Sequence, residues 1–254
     1  MLFDFAPKLA QLVTSYSNPI KKGDFVVIST TTEAIPYVEA LAVEVVKRGG
    51  IPHTQLSLPL WSEYFVTHAT DEQLAYVNPI SQSVLREADV LLTIDAPAHT
   101  NAMISESAER MQKMISTNHA IQRIFSERLG NDLRWTLSAW PTPARAQQAG
   151  MSFYAYQKFL YEAYALHTDD PAAYWQAMAD KQERYIAWLM KRQHITVTGP
   201  GIDLTLDYGG RNWYAAPGKA NFPDGEILTC PLEEVKQIEV QQTYLGGKLI
   251  YDAK

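Results

Sequence analysis

Residues 221–229 read Asn-Phe-Pro-Asp-Gly-Glu-Ile-Leu-Thr and hold the residue types best placed to do chemistry. Proline holds φ near −65° and glycine tolerates φ > 0, so Pro223-Asp224-Gly225 reads as a tight turn. The turn delivers Glu226 to a β-prone run, Ile227-Leu228-Thr229. A carboxylate fixed at such a junction has little freedom, which suits a metal ligand or a general base. The same letters also describe an ordinary Asp-Gly turn followed by a surface glutamate, and the local pattern does not choose between these readings.

Asp95 and His99 form a second constellation. Asp95 closes a strand-like run, Asp89 to Ala96, and His99 follows it directly. A strand-end acid with a nearby histidine can transfer protons, or it can simply cap the next helix. The six histidines, at 53, 68, 99, 119, 167 and 194, show no metal-ligand spacing. No Gly-x-Gly-x-x-Gly, Walker, Gly-x-Ser-x-Gly or His-Glu-x-x-His motif is present. The single cysteine, Cys230, excludes an internal disulfide and fits a reducing cytoplasm. Inside an expected strand it reads as a small apolar residue.

The whole composition narrows the class further. The chain has 254 residues, 46% hydrophobic and 20% charged, enough for one large or two ordinary domains. A net charge of −6 argues against nucleic acid or an anionic membrane as partner. No window approaches the roughly 18 apolar residues of a membrane span. The opening Met1-Leu2-Phe3-Asp4-Phe5-Ala6-Pro7 lacks the basic and apolar regions of a signal peptide. The expected setting is cytoplasmic.

These residues are positioned by alternating elements. Short apolar runs at 25–29, 53–58, 89–96 and 134–140 predict strands, and periodicity predicts helices near 2–16, 33–48, 71–88 and 102–128. Such alternation predicts an α/β fold with a doubly wound, mostly parallel sheet. Two aromatic helices follow, near 152–166 and 171–192. Their stripes, Phe153, Tyr156, Leu160 and Tyr164, then Tyr174, Met178, Tyr185, Trp188 and Leu189, are expected to face a core. From residue 194 the pattern changes to short strands at 194–198, 201–208, 226–230, 238–244 and 248–251. The expected division is therefore an N-terminal α/β domain over 1–193 and a β-rich segment over 194–254.

Three segments in order resemble one family. They are Trp140-Pro141-Thr142-Pro143-Ala144-Arg145 with its continuation to Ser152; Asp170-Pro171 with Trp175, followed by Gly201-Ile202-Asp203-Leu204-Thr205; and the Asn221–Thr229 stretch. Together they resemble the thermophilic-type metalloaminopeptidases, the aminopeptidase T and aminopeptidase S group, over about residues 1–232. The resemblance implies an exopeptidase that removes N-terminal residues from peptides with two divalent ions, zinc, cobalt or magnesium, often as a homodimer. Paired ions share and acidify one water in such sites. Glu226 matches the glutamate that ligates metal in the family.

The remaining family ligands, a second glutamate, two histidines, an aspartate and a tyrosine, have no matching segments before Lys254. Residues 235–254 are expected to fit the family poorly, resembling instead the closing strand pair of an amidohydrolase. A catalytic zinc takes about three protein ligands, so the expectation is weak metal binding and slow turnover by this chain alone. Two other readings stay open: a catalytically inactive α/β binding or assembly module left by truncation, and a small-molecule enzyme using Asp95 and His99.

Overall fold

The computed structural model describes residues 4–104, 106–228, 242–245 and 248–252. Cys230 and the expected strand residues 238–241 lie outside the described residues. In the first half, strands β1 (Phe25–Thr31), β2 (Ile51–Ser57), β3 (Val90–Asp95) and β4 (Arg134–Ala139) alternate with helices. These are α1 (Phe5–Leu12), α2 (Ile35–Lys47), α3 (Pro59–His68), α4 (Asp71–Leu74), α5 (Pro79–Glu87) and α6 (Ala108–Arg128). Helices α7 (Pro143–Gln148), α8 (Phe153–Ala163) and α9 (Pro171–Leu189) follow. Strands β5 (His194–Gly199), β6 (Ile202–Asp207), β7 (Tyr214–Ala216), β8 (Asn221–Phe222), β9 (Glu226–Leu228), β10 (Gln242–Leu245) and β11 (Lys248–Asp252) complete the order.

The fold is α/β. Five strands form one parallel sheet in the order β2-β1-β3-β4-β8. Side chains alternate along each strand, so each strand serves two cores. Val26 and Ile28 of β1 with Val90, Leu92 and Ile94 of β3 face a cluster that includes Leu9, Tyr37, Leu41 and Trp140. Val27 and Leu91 face the opposite cluster, with Leu85, Ile124 and Leu133. Helices α1 and α2 therefore cover one face and α5 and α6 the other, the arrangement a buried parallel sheet requires. Trp140 stacks on Tyr37 with centroids 5.2 Å apart and lies 5.3 Å from Phe5.

Packing divides the chain into two units, residues 1–178 with 217–224 and residues 179–216 with 225–254. Among the described residues the second unit contains three antiparallel strand pairs, β5 with β6, β7 with β9, and β10 with β11.

Several elements differ from the sequence pattern. The expected helix 71–88 is two helices. Asn78 precedes Pro79, adopts an extended backbone and accepts a hydrogen bond from the Ile80 amide at 2.9 Å, so a new helix starts there. Helix α3 was not expected, because Pro59 opens a run without clear amphipathic spacing. The α9 stripe is not wholly packed: Tyr185 and Trp188 are 51% and 52% exposed, and Trp175 is the buried aromatic. Periodicity reports which side chains share a face, not what covers that face. Trp188 instead carries the Arg192 guanidinium, 3.4 Å from its ring centroid.

Leu92 lies in the middle of the sheet and is 2% exposed. Leu92→Ala is expected to lower stability by about 2–5 kcal/mol, through lost burial and a residual cavity. A urea titration followed by circular dichroism, with an unchanged m-value, measures it.

Candidate functional site

The segment that carries the Pro-Asp-Gly turn is anchored before the turn begins. Asn221 and Phe222 pair in parallel with Leu137 and Ser138 of β4, and the Leu137 amide donates to Ala220 O at 2.8 Å. Phe222 is 2% exposed. Its ring sits 4.9 Å from both Tyr164 and Trp175, each edge-on. Such tilted pairs bring the positive ring edge to a negative ring face.

Buried hydroxyls tie the same segment to its neighbours. Tyr164 Oη accepts from the Ala139 amide at 2.7 Å and donates towards Ala139 O and Phe222 O at 2.7 and 3.0 Å. It therefore joins the C-terminal ends of β4 and β8. Trp175 Nε1 donates to Tyr164 O at 3.1 Å. Tyr16 Oη reaches Trp175 O at 3.0 Å and Pro217 O at 2.9 Å. Gly218 permits this packing, since it has φ +76° and a Cβ there would lie 2.6 Å from the Phe222 ring.

After the cis Phe222–Pro223 bond and Asp224, the chain enters the second unit at Gly225. There Glu226 is the first residue of β9, opposite Ala216 of β7, and its backbone carbonyl accepts from Gln182 Nε2 at 3.1 Å. The expected strand is present over Glu226–Leu228, and it follows a bend at Pro223 and two residues of irregular backbone. The Glu226 carboxylate is exposed. Its oxygen donors suit a hard divalent ion. Among the described residues, however, no group of three or more His, Cys, Asp or Glu side chains converges to hold a metal. One carboxylate does not make a metal centre, so the described residues alone do not fit the two-ion site.

The Asp95–His99 pair does not assemble. Arg145 Nε and Nη2 each donate to one Asp95 carboxylate oxygen at 2.9 Å, side-on, which commits both oxygens. His99 Nδ1 accepts instead from the Asn101 amide at 3.1 Å. Asp95 thus fastens α7 to the end of β3. Sequence spacing could not show this, because the partner lies fifty residues away. A trough of about 510 Å³ opens beside this pair, lined by Thr93, Leu137, Asn221 and Pro223 among others.

The comparisons with known proteins now decide the family. The model of the thermophilic metalloprotease (M29) family matches residues 5–250. The chain belongs to that family. The match runs through most of 235–254, so the expected poor fit of that tail is overturned. Among solved structures, wild-type AmpT from Thermus thermophilus is similar at a TM-score of 0.73 and 20% identity, over 97% of this chain and 67% of that one. At that identity the likeness shows the fold. A LacI-family protein from Corynebacterium glutamicum aligns at a TM-score of only 0.28 and 10% identity, over 58% of this chain and 48% of that one, and carries no argument. No curated protein matches. Family membership makes this M29 chain a metal-dependent peptidase. None of its described helices is long and apolar enough to cross a membrane.

Two outcomes are expected at the anchor. Gly218→Ala should cost about 1–3 kcal/mol, since the added methyl must displace the Phe222 ring at positive φ; a lowered urea midpoint checks it. Burial raises the pKa of Tyr164 well above its ordinary value and also raises that of Tyr37, whose Ser138 hydrogen bond opposes the shift. Both are thus neutral in the fold where the unfolded tyrosines, with pKa about 10, ionise. The folded state binds more protons above that pH, so stability should be flat below pH ~9 and fall above ~10, by up to about 1.4 kcal/mol per pH unit for each tyrosine. Tyr37→Phe should reduce that slope, read from urea midpoints across pH 8–11.

Proposed function

We propose that the chain is a metal-dependent aminopeptidase that removes N-terminal residues from peptides, with Glu226 as one metal ligand. The observation carrying this reading is the Asn-Phe-Pro-Asp-Gly-Glu segment. Its first half is locked into the parallel sheet by Phe222, and its glutamate opens a strand with an exposed carboxylate. Similarity to AmpT over 97% of this chain supports the same reading. Zinc, cobalt or magnesium are the ions proposed, two to a complete site. The ligands besides Glu226 come from outside the described residues or from a second copy of the chain. A cytoplasmic setting accords with a single cysteine and no possible internal disulfide.

Bound divalent ions supply Lewis acidity and an acidified water. What this chain's own residues do is narrower. Glu226 contributes negative charge and oxygen donors, and strand pairing to Ala216 with the Gln182 hydrogen bond to its carbonyl holds its backbone.

The test is release of N-terminal leucine from a short peptide, with and without cobalt or zinc, by the chain and by Glu226→Ala. Metal-stimulated release is expected, falling on the order of a hundredfold in the variant, alongside weaker metal uptake by equilibrium dialysis. Equal activity and equal metal uptake in the two proteins would remove Glu226 from the site.

A further inference from the structure

A buried parallel sheet normally presents apolar side chains on both faces. On the α5/α6 face this sheet departs from that rule in one row. Val27 and Leu91, side by side in β1 and β3, keep the apolar pattern. Two residues further along, Gln55, Ser29 and Thr93 stand in register across β2, β1 and β3. Neighbouring strands lie about 4.8 Å apart, so these three form a continuous polar row. Ser57, two residues beyond Gln55, extends the row towards the strand ends on the same face, and Ser81 of α5 completes the polar wall.

Thr93 Oγ1 accepts from Trp135 Nε1 at 3.3 Å. Among the described residues Ser29 Oγ, the Gln55 amide, Ser57 Oγ and Ser81 Oγ make no hydrogen bond to protein. All five side chains are half-buried or exposed, so solvent reaches them and a ligand entering there takes the place of water. They surround a cavity of about 430 Å³, within the range of small-molecule sites.

Its position in the topology is also informative. The crossover from β1 to β2 runs through α2 on one face, and that from β2 to β3 runs through α5 on the other. The strand order therefore reverses between β1 and β3, at whose C-terminal halves the polar row lies. Open α/β sheets bind ligands beyond the C-terminal strand ends at that reversal, the end towards which the polar row runs from Val27 and Leu91.

We propose that this cavity binds a small neutral polyhydroxylated molecule, of the monosaccharide or cyclitol class. None of its lining residues is ionisable, so a charged ligand would lose its hydration without gaining a counter-charge. No aromatic ring lines it, so a planar heterocycle finds no stacking partner. Four hydroxyls and one carboxamide, each able to donate and accept, match a ligand that does the same at every carbon. The apolar row beneath, Val27 and Leu91, receives its C–H face.

The site is independent of Glu226, and so is its test. Saturation-transfer NMR is recorded on the full chain with D-glucose and with myo-inositol, beside D-gluconate and D-glucosamine as charged counterparts. Transfer from at least one neutral polyol is expected, with at least tenfold weaker binding of both charged probes. Gln55→Leu should weaken polyol binding tenfold or more, whereas Glu226→Ala should leave it unchanged. Ser57→Ala, at an exposed position, serves the same purpose if Gln55→Leu lowers the melting temperature. No transfer from either polyol to the folded chain, equal binding of the charged probes, or binding indifferent to these substitutions overturns the proposal.

Discussion

The hydroxyl of Tyr164 is the point on which the first unit's sheet edge depends. A parallel strand of two residues cannot hold its place by ladder hydrogen bonds alone, since it makes so few of them. Tyr164 supplies the rest by binding both chain directions of the β4 end and reaching the carbonyl of Phe222. The Phe222 ring then fills the space between Tyr164 and Trp175, and Gly218 leaves room for it. Removal of any one of these groups leaves either a buried polar atom without a partner or a void, and both are costly. Residues 217–224 thereby return to a unit the chain had left some forty residues earlier.

The same sheet shows how one backbone plan separates structural from chemical duties. Alternation along β1 and β3 commits one face to the aliphatic and aromatic core under α1 and α2. On the other face the apolar pattern holds only at the lower rows and gives way to Gln55, Ser29 and Thr93 near the strand ends. Asp95, one step beyond, is spent on Arg145 and so fixes α7 instead of acting as a base. The C-terminal edge thus carries polar groups of two kinds. Some are paired for architecture, and others are turned to a cavity.

Glu226 stands apart from both. Its backbone is placed by the second unit's own strand pair and by Gln182, while its side chain is left to solvent. An exposed carboxylate on a paired strand offers its oxygens to a hard divalent ion while its backbone stays fixed. The M29 family match gives that arrangement its chemical meaning, and the described side chains do not complete it.

The sequence by itself determined the alternation of strands and helices, the parallel sheet and the strand that begins at Glu226. Each of these rests on local periodicity or on proline and glycine backbone limits, which neighbours in sequence already express. Its ordered segments also carried the family resemblance. Only the tertiary structure decided that Asn221-Phe222 is a fifth sheet strand, because two residues show no period. It alone paired Asp95 with Arg145 and separated it from His99, and left Tyr185 and Trp188 uncovered. It also aligned Gln55, Ser29 and Thr93 into one row, through strand register that joins Ser29 to residues 26 and 64 positions away. Such contacts depend on packing between distant segments, and no local pattern encodes which distant side chain arrives.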